Sequence, residues 1–407
     1  MSREPSREHG PSTRQGALEG IVVLELDEGR AHLAGKLLAD LGARIIKVEP
    51  PDGSAPRRVG PYHGDVVGPD SSLQFWHYNT GKESVVLDLR EETDRISFLE
   101  LVGDVDVVLD GLAFGALDSL HLDPAALIRQ NPDLVYCGVT AFGNGGPWRD
   151  YASSDLVHLA LGGVAAVCGY DEPHDDGPIA PLGGQAANLT GLLTASAILA
   201  ALYNRDRVGG GQFIDVATHD VLSLSTEMMI PYWEFRQMNG IRQSGRHGRP
   251  YLTPRWNHRC RDGKYINALP LYLDNERFAK MVDWFDSEGL AGDLRASEYA
   301  TDQLRAERMG HIVDVIGEMC AAHDCDDMVS DAQRRRLPWG PINAPDQLVD
   351  DVHLQERHAF VYVEHENLGV SLTYPGAPYV LKGTPWSTRR APLLGEHTEA
   401  VVPREKK

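Results

Sequence analysis

The chain predicts an α/β fold: a Rossmann-like large domain with a parallel sheet, joined to a smaller α+β domain. Three observations carry this. Short β-branched runs alternate with amphipathic stretches through the first half of the chain. The first two runs are joined by a helix-length segment closed by glycine, the pattern of a βαβ unit. Beyond about Asp220 the alternation gives way to Met-, aromatic- and Arg-rich segments.

The first unit reads GIVVLEL (Gly20 to Leu26), HLAGKLLADLG (His32 to Gly42) and RIIKVEP (Arg44 to Pro50). Further strands are expected at Ser84 to Leu89, Val105 to Asp110 and Asp133 to Thr140, with helices near Glu91 to Val102 and Pro124 to Gln130. A helix begins near Asp155. From Pro178 a Gly/Pro-rich turn feeds an Ala/Leu-rich helix, apolar nearly all round and so expected to be buried on every side. It ends near Asn204, and GGGQ (Gly209 to Gln212) turns the chain into the strand FIDVA.

The second part starts with one expected helix over Ser223 to Met238. A loop with Arg242, Arg246, Arg249, Arg255 and Arg259 follows, then a strand at KYINAL. Helices are expected near Asn275 to Phe285, Asp302 to Cys320 and Asp326 to Arg335. From Pro338 the chain is polar and Pro/Gly-rich, with a short helix at DQLVDDV, a strand-rich return, and a tail RAPLLGEHT (Arg390 to Thr398) that packs back on the first domain. The expected boundaries are a disordered tail at 1–16, a large domain at 17–228, a small domain at 229–337, and a linker with C-terminal return at 338–400.

Composition narrows the function classes. A net charge of −20 over 407 residues argues against nucleic-acid or anionic-membrane partners. No uninterrupted apolar run reaches the about 18 residues of a membrane span. The polar N-terminus lacks a signal-peptide core, and five scattered cysteines suit reduced thiols in a cytoplasm. No cysteine–histidine grouping supports a metal site. The first βα turn, DEGRA, lacks the GxGxxG of a nicotinamide site, and neither a GxSxG elbow nor a Walker sequence occurs.

Several groups remain as candidates for chemistry. Asp155, in SSDLVHLALGG, reads either as a helix cap or as a carboxylate beside a pocket. The arginine loop reads either as a solvated surface or as a bidentate site for phosphate or dicarboxylate. Asn79 to Lys82 and Arg57–Arg58 read as solvated turns or as phosphate contacts. The turn before the Ala/Leu-rich helix would favour a carboxylate at the helix N-terminus. There, however, stand Gln185, Ala186, Ala187 and Asn188, with no acid.

Taken together, LEGIVVLEL, LLADLGARIIKVEPP, NTGKESVVLDL, VDVVLDGLAFGALDSLHLD, NPDLVYCGVTAFGNGGP, AILAALYNRDRVGGGQFIDV, LPWGPINAP and RAPLLGEHT resemble the family III CoA-transferases, which include the α-methylacyl-CoA racemases. They fall in the family's order from about residue 18 to 400. The resemblance implies ring-shaped chains interlocked as a dimer, and an aspartate that forms mixed anhydrides and an aspartyl-CoA thioester. Coenzyme A and acyl-CoA are then substrates, with no bound cofactor.

Registering the helix and glycine turn against the family puts the nucleophile position at Ala187. Pro50 and Ser119 stand where transferases carry CoA-binding arginines, and Ala152 stands at a lysine. Arg57, Leu87, Arg90, Gly111 and Leu112 remain as the implied CoA-binding positions, with Arg30, Arg246 and Arg255 expected to bind substrate. Ser154 replaces the racemases' acid/base histidine, which leaves Asp155 as the acidic group.

Three functions follow. The chain is a nucleophile-lacking subunit of the benzylsuccinate type, acting with an aspartate-bearing paralogue; the basic loop suits a dicarboxylate or a donor such as succinyl-CoA. Alternatively it is a homodimeric transferase, racemase or hydrolase using Asp155, or a non-catalytic acyl-CoA-binding protein.

Overall fold

The computed structural model describes residues 16–171, 177–226, 228–270 and 273–403. Apart from Gly16, the tail expected at 1–16 lies outside the described residues. The chain divides into two compact units: Met1–Gly163 with Pro181–Ser225 and Gln355–Lys407, and Val164–Ala180 with Thr226–Leu354.

The first unit runs β1 (Val22–Asp27), α1 (His32–Asp40), β2 (Arg44–Glu49), α2 (Leu73–Tyr78), β3 (Glu83–Val86), α3 (Glu92–Asp104), β4 (Val107–Gly111), α4 (Pro124–Gln130), β5 (Val135–Thr140) and α5 (Asp155–Leu161). A short helix, α6 (Val164–Val167), belongs to the second unit. The first resumes with α7 (Gln185–Val208), β6 (Gln212–Ala217) and α8 (Thr218–Leu224). The sheet has the order β3-β2-β1-β4-β5-β6 and every pairing is parallel. This is the doubly wound arrangement the alternation predicts. Strand order reverses between β1 and β4, and the crevice beyond their carboxyl ends is where such sheets bind ligands.

The two-residue period of the strands sorts their side chains. Leu24, Leu26, Ile46 and Val48 join Phe98 and Val102 of α3 and Leu127 of α4 in one core. The alternate residues, Glu25 of β1 and Lys47 of β2, are charged and fully buried. Lys47 and Lys82 both meet the Glu25 carboxylate, at 3.0 and 2.8 Å. Burial lowers the pKa of Lys82, whereas Glu25, Asp27 and Glu49 outweigh burial at Lys47 and raise it. Such charges are tolerable inside only because they are paired.

Helix α7 departs from the expectation of burial on every side. Its buried stripe comprises Ala186, Thr190, Gly191, Thr194, Ala195, Ile198, Ala201 and Leu202, and it packs on α1, α5, α8 and the sheet. At Gly191 an added Cβ would lie 2.8 Å from Leu33 Cβ, so the glycine sets the close approach to α1. Leu192, Leu193 and Tyr203 are 51%, 47% and 65% exposed. The layers of the unit lie on one side of the helix only, and its opposite apolar face is open. By length and composition α7 is also long enough to cross a membrane, a test that core helices pass as well. Interspersed Thr, Asn and Gly hid this from a count of uninterrupted apolar residues.

The second unit holds α9 (Met229–Arg236), an antiparallel sheet of β7 (Asn257–Arg259), β8 (Tyr265–Asn267) and β9 (Gly340–Pro341), and helices α10 (Asn275–Ser287), α11 (Asp302–Glu307), α12 (Met309–Ala322) and α13 (Cys325–Arg334). Phe285, Ile316, Met319 and Trp339 lie in its core.

Two expected helices are broken. Ser223 to Met238 divides between α8 and α9, because Pro231 lacks an N–H and is tolerated only in a helix's first turn. Asp302 to Cys320 divides at Arg308, whose φ of −114° and ψ of 18° leave the helical region. The helix expected at DQLVDDV is a 3-10 turn over Pro345–Leu348. The C-terminal return is a hairpin of β10 (Phe360–His365) and β11 (Val370–Pro375) in the first unit. The tail then lies along β3, where the Gly395 N–H donates to Ser84 Oγ at 2.8 Å.

Candidate functional site

Asp27 ends β1 and shapes the turn that follows. Its carboxylate accepts from the N–H groups of Gly29, Arg30 and Ala31 at 2.8–2.9 Å. Burial opposes its charge, but Lys47 and the Ala31 N–H hold its pKa below the ordinary value. The turn aims Arg30 at the end of β4, where Nη1 donates to the carbonyls of Gly111 and Leu112 at 3.0 and 3.1 Å. Burial lowers the Arg30 pKa, while Asp27 and Asp110 favour its charge.

A cavity of about 320 Å³ opens beside Arg30, lined also by His32, Tyr78, Asp155, His158, Ala187 and Thr218. It lies wholly in the first unit, at the switch-point end of the sheet. On its far side Gly184, at φ +65°, caps α7 in a left-handed conformation that glycine adopts without strain. The first turn of α7 presents Ala186 and Ala187. Their N–H groups donate to Asp155 Oδ1 at 2.9 and 3.2 Å. Asp155 therefore does not cap its own helix. Ser154 caps α5 by accepting from the Val157 N–H at 3.3 Å, and Asp155 places its carboxylate on the positive end of the neighbouring α7.

The histidines of the cavity are buried and neutral. The His32 ring stacks on Tyr78 with centroids 3.7 Å apart, and the Tyr78 hydroxyl donates to Asn188 Oδ1 at 2.8 Å. Burial is the main cause that takes His32 down to about 3 and His158 to about 4, with Arg30 adding to the effect at His158. Among the described residues neither ring nitrogen of either histidine has a hydrogen-bond partner, nor does Thr218 Oγ1.

The structure thus joins Arg30, Gly111, Leu112, Asp155 and Ala187, and places the other candidates elsewhere. Arg57 is fully buried. Its Nε and Nη2 meet Glu49 at 2.7 and 2.8 Å, and its remaining donors reach Asp70, Pro69 O and Pro392 O. All five N–H groups are spent on protein oxygens, leaving none for a phosphate. Leu87 is buried at the end of β3. Arg90 is exposed and paired with Asp88. Arg246 and Arg255 lie in the second unit, where both meet Asp171, at 3.0 and 2.9 Å. Burial opposes the Asp171 charge, but the Ser244 N–H and the two guanidinium groups lower its pKa.

Sequence reasoning missed His32, Tyr78, His158 and Thr218. With sixteen histidines in the chain no pair stood out. The available signal was position: His32 opens the helix after the first strand, and His158 lies one turn beyond Asp155.

The fold and site define a Rossmann-like α/β protein with a ligand cavity at its switch point. The chain belongs to CoA-transferase family III, whose model matches residues 18–398. It is 30% identical over 375 residues to succinyl-CoA:(R)-benzylsuccinate CoA-transferase subunit BbsE of Thauera aromatica, covering 90% of this chain and 89% of that protein. It is 34% identical over 398 residues to acetyl-CoA:oxalate CoA-transferase of Acetobacter aceti, covering 96% of both. A CAIB/BAIF family protein from Brucella suis has a similar structure, with a TM-score of 0.82 at 28% identity, covering 95% of this chain and 99% of that one.

Proposed function

We propose that this chain is the nucleophile-lacking subunit of a heteromeric CoA-transferase, moving CoA between an acyl-CoA donor such as succinyl-CoA and a carboxylic acid. The observation that carries the reading is Ala187. It lines the cavity on the first turn of α7, at the position registered to the family's aspartate, and a methyl group forms no anhydride. An aspartate-bearing paralogue then supplies the carboxylate. That group attacks the thioester carbonyl and expels CoA thiolate; the thiolate returns to the anhydride, releases the first acid and leaves an enzyme thioester for the second acid to attack.

Two further features support a partner. Leu156, Leu161, Leu192, Leu193 and Leu224 of the first unit are between 47% and 76% exposed, an apolar surface of the kind that marks an interface. The Thauera relative is itself named as a subunit. Co-expression with an aspartate-bearing paralogue is expected to give a stable complex with transferase activity. A chain that stays homodimeric beside that paralogue rules the reading out. Ala187→Asp is expected to restore measurable transferase activity to the chain alone.

A second reading has one observation in its favour. Asp155 brings a carboxylate to the same helix N-terminus, which suits a homodimeric enzyme using it as base or nucleophile. Turnover of acyl-CoA by the purified chain, abolished in Asp155→Asn, would select it.

A further inference from the structure

A doubly wound sheet holds phosphates at its carboxyl edge with two kinds of group: backbone N–H groups at helix N-termini, and arginine or lysine side chains in the loops. In this chain both kinds are already taken, largely by its own carboxylates. The N–H groups of Gly29, Arg30 and Ala31, in the turn that leads into α1, donate to Asp27 at 2.8–2.9 Å. Those of Ala186 and Ala187, on the first turn of α7, donate to Asp155 at 2.9 and 3.2 Å. Beyond β2 the Ala55 N–H donates to Glu28 Oε2 at 2.6 Å.

The loops repeat the pattern strand by strand. After β1, Arg30 has Nη1 on the carbonyls of Gly111 and Leu112. After β2, Arg57 is buried against Glu49 and Asp70, and Arg58 meets the Asp52 carboxylate at 3.5 Å. After β3, Arg90 forms a fork with Asp88 at 2.8 and 2.7 Å. After β4 stands Ser119, whose hydroxyl donates to Ala116 O at 2.7 Å. After β5, Arg149 meets Asp150 at 3.3 Å. CoA carries a 3′-phosphate and a diphosphate. At this edge they would meet carboxylates in place of donors, with like charges repelling and existing pairs to be broken.

We infer that this chain carries no CoA of its own, because its carboxylates fill the anion sites of its switch point, and that the active assembly binds one CoA per pair of subunits, on the aspartate-bearing partner. The stoichiometry rests on the proposed heteromer and extends it: this chain gives up the CoA phosphates as well as the nucleophile.

The test is calorimetric titration with CoA of the full chain alone and of its complex with an aspartate-bearing paralogue. The complex is expected to take one CoA per pair. Absence of several charge-assisted phosphate contacts loses at least about a hundredfold in affinity. The chain alone is therefore expected to show no saturable binding over a CoA range reaching about a hundredfold beyond half-saturation of the complex. Arg90→Ala in this chain is expected to leave the CoA affinity of the complex unchanged. Two CoA per pair, saturable binding by the chain alone within that range, or a tenfold loss of affinity in Arg90→Ala each overturns the inference. Cooperative melting establishes that the isolated chain is folded; if it is not, the stoichiometry of the complex is the deciding measurement. An active complex that binds two CoA per pair refutes the inference and leaves the proposed function standing. Failure to form a complex refutes the proposed function instead, and saturable CoA binding by the chain alone then still overturns the inference.

Discussion

Removing the Asp155 carboxylate separates its structural part from any chemical one. Its Oδ1 accepts two N–H groups on the first turn of α7, at 2.9 and 3.2 Å. Loss of such a cap costs about 0.5–2 kcal/mol, and loss of a negative charge at a helix N-terminus about 0.3–1 kcal/mol. Asp155 is half-buried, so water reaches part of the exposed backbone and the combined cost for Asp155→Ala is about 1.5 kcal/mol. For a unit of this size that lowers Tm by roughly 3–6 °C. Asp155→Asn keeps an acceptor oxygen and gives up only the charge, so its loss stays below about 1 kcal/mol, or roughly 2–3 °C. Scanning calorimetry of the two variants beside the parent measures the difference. Equal losses in Asn and Ala, or no loss in Ala, would refute the capping argument. Activity of the complex supplies the other half: an aspartate that only caps leaves the Asn variant within about tenfold of the parent, whereas a covalent or proton-transferring group loses roughly a thousandfold or more.

Other perturbations test the rest of the structure. Gly35→Ala puts a methyl carbon 1.8 Å from Glu25 Oε2 and 2.9 Å from Lys82 Nζ; displacing that buried pair is expected to cost about 3–5 kcal/mol, read as a lower urea midpoint or loss of soluble protein. Acid is expected to destabilise the chain first through its histidines. Burial lowers His32 to about 3, and His77 and His158 to about 4, from an ordinary 6.5. The unfolded chain therefore binds more protons as pH falls through 6.5, and stability present above that value is lost toward pH 4 and then 3. Glu49, lowered to about 2 from 4.5 despite burial by Arg57 and Lys47, adds its own loss only below about pH 4.5. Urea midpoints between pH 7 and 5 check this, and His158→Gln is expected to flatten the slope. Among the thiols, burial pushes Cys137 and Cys260 up to about 12 and raises Cys320 and Cys325, while Cys168 is only half-buried. A chromogenic disulfide at pH 8 should modify Cys168 in the native chain and the other four on unfolding.

What the sequence made legible follows from which forces act locally. The βαβ unit over residues 22–49 is visible because strand period, helix stripe and terminal glycine agree within a short window. Pro124–Gln130 is visible because Asp123 and Pro124 mark a helix start. The breaks before α9 and at Arg308 were less visible, since apolar spacing runs on across both. Burial of α7 was misjudged because composition says that a surface is apolar, not whether this chain covers it. At the site, Ala187 and Arg30 could be placed from the family register and the first turn. The link from Asp155 to the N–H groups of Ala186 and Ala187 joins residues more than thirty positions apart, and the unpartnered groups of His32, His158 and Thr218 exist only once three helices meet. Lys47 and Glu25 left a local trace, as charges inside otherwise apolar strands.

The turn after β1 has a consequence for how the cavity adapts. On that side Asp27 ties three successive N–H groups and Arg30 is fastened to two carbonyls of the next strand, so little ordering entropy remains to be lost when a ligand arrives. Across the cavity, two hydrogen bonds from Asp155 hold the first turn of α7. Under the proposed function, substitutions on the α5–α7 side would change the preference among acids while leaving the hydrogen-bonded Asp27 turn intact.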